Sequence, residues 1–98
     1  MNMREIQKLQ QKVMEAQEKL EASQFVGTAG GGAVAITMTG KFEVTDVKID
    51  PEAFNPEDIS ELEVMVLAAA KDAFTKVSDA QQKVLGAATG NLKIPGLF

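Results

Sequence analysis

Cysteine, histidine, tryptophan and tyrosine are all missing from these 98 residues. Without cysteine there is no disulfide, no thiol nucleophile and no usual structural zinc site. Without histidine the commonest proton shuttle near neutral pH is gone as well. The aromatic side chains are five scattered phenylalanines, a poor platform for stacking single-stranded bases. The longest apolar run covers only residues 64–70, far short of the roughly 20 residues of a membrane-spanning helix. Residues 1–24 are too polar for a secretory signal. These absences lead to the expectation of one cytoplasmic domain with no membrane partner, no metal, no cofactor and no enzymatic activity.

Charge is present but unevenly spread. The formal net charge is −4, opposite in sign to the basic footprint that nucleic-acid binders commonly carry. Between residues 50 and 63 lie Asp50, Glu52, Glu57, Asp58, Glu61 and Glu63 with no cation among them. Residues 1–14 instead hold Arg4, Lys8 and Lys12 against Glu5, and the segment after residue 63 is again mildly basic. For recognition, distribution matters more than the total.

Residues 3–24 place Ile6, Leu9, Val13, Ala16 and Leu20 at alternating spacings of three and four, with Gln, Lys and Glu elsewhere. That is the narrow seam of an amphipathic helix that pairs with another helix. From Phe25 the character turns aromatic and β-branched. Gly30, Gly31 and Gly32 then offer the backbone freedom of a reversing turn. Val34, Ile36 and Met38 alternate with Ala35, Thr37 and Thr39, a half-buried strand. Gly40-Lys41 makes a short hairpin connection to a further strand. In that strand Phe42 and Val44 share one parity and Val47 and Ile49 the other, so a β-bulge is expected near Thr45-Asp46.

Asn55 reads as the N-cap of a second helix, with Pro56 at its first position and Glu57 and Asp58 beside the positive end of its dipole. Residues 64–70 are apolar all round and so are expected to be buried on every side, between the sheet and a partner subunit. Beyond them runs a seam of Ala70, Ala73, Val77, Ala80, Val84 and Ala87, whose obvious partner is the seam of the first helix. The change of seam phase near Ala69-Ala70 suggests a kink or break there. Gly86 to Gly90 would end the helix, and Ile94, Leu97 and Phe98 would dock back onto the base or present a peptide to a partner.

The run "GTAGGGAVAITMTGKFEVTDVKIDPEAFNPED", joined to "TGNLKIPGLF" and to the opening "KLQQKVMEAQEKL" helix, resembles the YbaB/EbfC family of small bacterial nucleoid-associated proteins over essentially the whole chain. The resemblance implies a tweezer-shaped homodimer that binds DNA. Together with the residue patterns it leads to an α+β fold, a three-stranded antiparallel sheet backed by a long helix. The chain is expected to form a single domain over 1–98. Its base would span about 25–71, its arm 1–24 and about 72–88, and its tail 89–98.

The glycine-rich turns lack the Lys-Ser/Thr and following helix of a phosphate-binding loop. The carboxylates lack the spacing of a calcium loop and any sign of the burial that tunes a catalytic pair. The cations are the sharper signal. Arg4, Lys8 and Lys12 recur every four residues along one flank, and Lys76 and Lys83 lie a heptad apart. Such rows are usually ordinary solvated faces. The family resemblance shifts the reading to phosphate contact with double-stranded DNA. Asn2, Gln7 and Gln11 could reach base edges, although nothing in the pattern demands it. Val64, Met65, Val66, Leu67 and Ala68 are the expected dimer interface. The competing reading is a protein-interaction module that clamps a partner protein, with incidental DNA affinity.

Overall fold

The computed structural model describes residues 2–89. Helix α1 (Met3–Ala22) leads into strands β1 (Gln24–Ala29), β2 (Val34–Thr39) and β3 (Val44–Ile49). A 3-10 turn (Pro51–Ala53) precedes helix α2 (Ile59–Thr89). The strands form one antiparallel sheet in the order β1-β2-β3. This is the expected α+β architecture. The tail beyond Thr89, including Ile94, Leu97 and Phe98, lies outside the described residues.

The local turns follow the sequence logic. Gly30, Gly31 and Gly32 have φ of 63, 67 and 97°, the left-handed region that costs side-chain-bearing residues but not glycine. The β2–β3 pairing runs Ile36↔Val47 and Thr37↔Asp46, then jumps to Met38↔Val44. Thr45 is therefore the extra residue of a bulge, and both parities of β3 reach the same face. The turn before β3 is longer than Gly40-Lys41 alone: Phe42 adopts φ 62°, and its N–H donates to the Thr39 carbonyl at 3.0 Å.

The core sits between α2 and the first two strands. Val34, Ile36 and Met38 point at α2, where Ala69, Ala73 and Val77 are wholly buried. Helix and sheet meet closely because β1 contributes a glycine at the crossing. A Cβ on Gly27 would lie 2.2 Å from both the Ala69 carbonyl oxygen and the Ala73 nitrogen. Small residues on both elements are thus one packing solution, and it lets Val34 and Val77 be fully enclosed.

Three expectations are corrected here. No break occurs near residue 70: α2 is a single helix of 31 residues that runs through Gly86. The shift of seam phase marks a change of partner, from the sheet under Ala69, Ala73 and Val77 to α1 beside Val84. The lower half of the supposed helix–helix seam therefore belongs to the sheet. Asn55 does not cap α2 either. Its side chain accepts from the Glu57 N–H at 3.0 Å and its carbonyl from the Asp58 N–H at 2.9 Å, a local Asx turn. The helix begins only at Ile59, just after Asp58.

Candidate nucleic-acid interface

Helix α1 is 20 residues long, about 30 Å at 1.5 Å per residue. Asn2 caps it: its side-chain oxygen accepts from the Glu5 N–H at 2.9 Å. The residue considered for base contact thus has a structural task at the helix start. Gln11 likewise donates to Glu15 at 3.2 Å. Leu20 is the one residue of α1 buried among those described, while Ile6 and Leu9 are 39% and 41% exposed. Val13, Gln17 and Leu20 line a crevice with Gln81, Val84 and Leu85 of α2. The helix is therefore anchored at its C-terminal half, and its N-terminal half extends past the sheet.

That extending half carries Arg4, Lys8 and Lys12, all exposed. Lys8 and Lys12 border one shallow hollow with Glu5 and Leu9. Lys76 and Lys83 lie elsewhere, sharing a cleft on the β1 side of α2 with Gln24, Phe25, Val26, Asp79 and Ala80. Lys8 and Lys12 thus share one hollow, and Lys76 and Lys83 share another.

Lys76 has a structural role that its spacing did not reveal. Its ammonium donates to the Val26 carbonyl at 2.7 Å and pairs with Asp72 at 3.3 Å. Asp72 in turn accepts from the Thr28 N–H at 2.9 Å. Val26 and Thr28 lie on the open edge of β1, so this i,i+4 pair occupies edge groups that would otherwise be free to bond another strand. The Thr28 N–H, and next the Lys76 ammonium, hold the Asp72 carboxyl below its ordinary value. This is the one ion pair among the described residues.

The acidic cluster lies far from α1. Asp50 bonds through its N–H to the Ala33 carbonyl at 2.8 Å, at the start of β2. The root of α1 meets Gly40, just past the end of β2. Carboxylates and arm cations are therefore separated by the length of a strand.

The far flank of the sheet is unfinished. Val44, Val47 and Ile49 pair with Met38, Ile36 and Val34, and so share the face that α2 covers. Among the described residues α2 packs on β1 and β2 and does not reach β3. These three remain 53%, 49% and 41% exposed. Beside them on α2, Leu67 and Phe74 are also open, with Phe74 stacked on Phe42 at 4.7 Å between ring centroids. Of residues 64–68, Met65 and Val66 pack into the chain's own core, whereas Val64, Leu67 and Ala68 face outward. No helix among the described residues is long and apolar enough to cross a membrane.

Comparison with known proteins agrees with this architecture. A nucleoid-associated protein of Pelotomaculum thermopropionicum is 45% identical over 96 residues, covering 98% of this chain and 91% of that one. One from Dictyoglomus turgidum is 44% identical over 97 residues, covering 98% and 93%. An uncharacterized protein of Helicobacter pylori has the same fold, with a TM-score of 0.73 at 19% identity over 92% of this chain and 99% of that one. The profile of the YbaB/EbfC DNA-binding family matches residues 1–92. This chain belongs to the YbaB/EbfC DNA-binding family.

Proposed function

We propose that the protein binds double-stranded DNA as a homodimer and works in the nucleoid, where its named relatives are associated. The observation that carries the reading is the placement of Arg4, Lys8 and Lys12 on a helix that extends past the base, a strand's length from the acidic cluster. In that arrangement cations meet phosphates while the carboxylates stay clear of the duplex. Lys83 adds a contact near the root of the arm. Lys76, already held by Val26 and Asp72, adds least. Phosphate contacts fix position without reading sequence, so little sequence preference is expected.

The partner copy covers the apolar step formed by Val44, Val47 and Ile49 with Leu67 and Phe74. Symmetric dimers bury one self-complementary patch, and this step joins strand and helix in one surface. Leu67, Val64 and Ala68 contribute their outward side chains, while Met65 and Val66 support them from the core. Two arms then project from one base.

The test is the double variant Lys8→Glu/Lys12→Glu. Binding to a labelled duplex is expected to vanish at moderate salt, with the dimer unchanged by light scattering. Wild-type affinity in that variant would contradict the assignment.

A further inference from the structure

Cations on an arm serve binding only if the arm leaves the base in a fixed direction; α1 packs on α2 through Val13, Gln17 and Leu20, and meets the sheet itself at one place. The contact between α1 and the sheet is at its last turn, where Leu20 is buried. There the chain end of α1, the turn after β2 and helix α2 converge on one residue, Gly40. Its N–H donates to the Ser23 carbonyl at 3.3 Å, and its own carbonyl accepts from Gln81 Nε2 at 3.1 Å. Ser23 closes α1 by donating its N–H to Leu20 O at 3.1 Å and its hydroxyl to Lys19 O at 2.6 Å.

Glycine is required at position 40 by contact. A Cβ there would lie 2.0 Å from the Leu20 carbonyl oxygen, 2.5 Å from its carbon and 3.0 Å from the Glu21 nitrogen. All three are backbone atoms of α1, so no side chain can swing aside to make room. The turn itself is backed from below: Phe42, at φ 62°, packs against the buried cluster of Met38, Ala73 and Val77 and beside the Phe74 ring. The compliant element is α1. Lys8 lies about 18 Å along the helix from Leu20, so a tilt of about 10° at the root displaces it by about 3 Å.

We infer that the Gly40 junction is the positioning element of the arm: it sets the angle of α1 against the sheet and thereby the reach of Arg4, Lys8 and Lys12 toward a duplex. This rests on the duplex-binding reading above. Gly40 touches no nucleic acid in this scheme; it acts through the helix it seats.

The experiment uses the full chain with spin labels at Gln10→Cys and Lys48→Cys, specific because the protein has no cysteine. Labelled protein is diluted into unlabelled, and the distance distribution, thermal midpoint and duplex affinity are measured for wild type, Gly40→Ala and Gln81→Met. Gly40→Ala is expected to shift the distance by several ångströms and weaken duplex binding about tenfold while still forming the dimer. Gln81→Met, which keeps its bulk but loses the donor to Gly40, is expected to broaden the distribution with a smaller loss of affinity. A folded Gly40→Ala with the wild-type distance or wild-type affinity overturns the inference. If Gly40→Ala does not fold, Gln81→Met decides, and an unchanged distribution overturns it. Failure of the wild type to bind duplex at low salt strikes the functional reading instead, and the label distances still judge the junction.

Discussion

The base and the arm use apolar helix surface in different ways. In the base, Ala69, Ala73 and Val77 of α2 are fully buried against a sheet whose Gly27 admits the helix backbone itself. In the arm, Ile6, Leu9 and Met14 of α1 stay substantially exposed, and the helix is held mainly at its root. The base therefore tolerates almost no added volume, while the arm tolerates surface changes and is sensitive to its seating and its charge. Within the base the same contrast recurs between its edges. β1 is covered by α2 and clipped by Asp72 and Lys76, whereas β3 is left bare. The two flanks of the sheet thus differ, one edge closed and the other flank apolar and open.

The sharpest way to break the contrast is to add volume where the base is tightest. Gly27→Val is expected to cost about 3 kcal/mol or more, the upper range for overpacking, because the helix must lift from the sheet. Urea unfolding measures this. Gly31→Ala is the control: nothing lies within 4 Å of the new Cβ, so only the positive φ of 67° is penalised, about 1 to 2 kcal/mol.

Next in size is the open face. Val47→Asp is expected to leave the monomer folded, since the side chain is 49% exposed there. It should weaken self-association by at least about thirtyfold, the effect of losing a well-packed interface residue. Light scattering against concentration reads this directly. A dimer as tight as wild type would place the interface elsewhere.

The smallest effect concerns the clipped edge. In the folded protein the Thr28 N–H, and next Lys76, hold the Asp72 carboxyl below its ordinary value. Its contribution to stability is therefore present above that value and fades as pH falls through the lower, folded one. Asp72→Asn should be less stable than wild type at neutral pH, with the gap closing on acidification. Melting curves from neutral pH down through the carboxylate range test the sign. A gap that widens toward acid would refute the clip as described.

Much of this organisation was legible in the chain. The alternation of Val34, Ile36 and Met38 marked the buried face of β2, and the parity switch in β3 placed a bulge near Thr45-Asp46, where the register skips Thr45. Both signals are local, because a strand has a period of two residues regardless of what packs on it. Asn2 followed three residues later by Glu5 carries the pattern of a helix start, and its capping role is readable from that pattern. Asn55-Pro56 misled because an Asx turn and an N-cap use the same side chain in nearly the same way. The phase change at Ala69-Ala70 was real, but the hydrogen-bond ladder of a helix has no need to break where its partner changes. The clip between Lys76 and β1 could not be read from spacing, since it depends on which strand lies at the edge beneath α2. Gly40 looked like an ordinary hairpin glycine for the same reason: what demands it is α1, brought there only by the fold.

The most direct test of the account is duplex binding by fluorescence anisotropy across a salt series, for wild type and Lys8→Glu/Lys12→Glu. Wild-type binding is expected to be saturable and similar for unrelated sequences. Its log affinity should fall linearly with log salt by about 0.9 for each phosphate contact, and the variant should not bind. Absence of wild-type binding at low salt, or a variant with an undiminished affinity and salt slope, would contradict it.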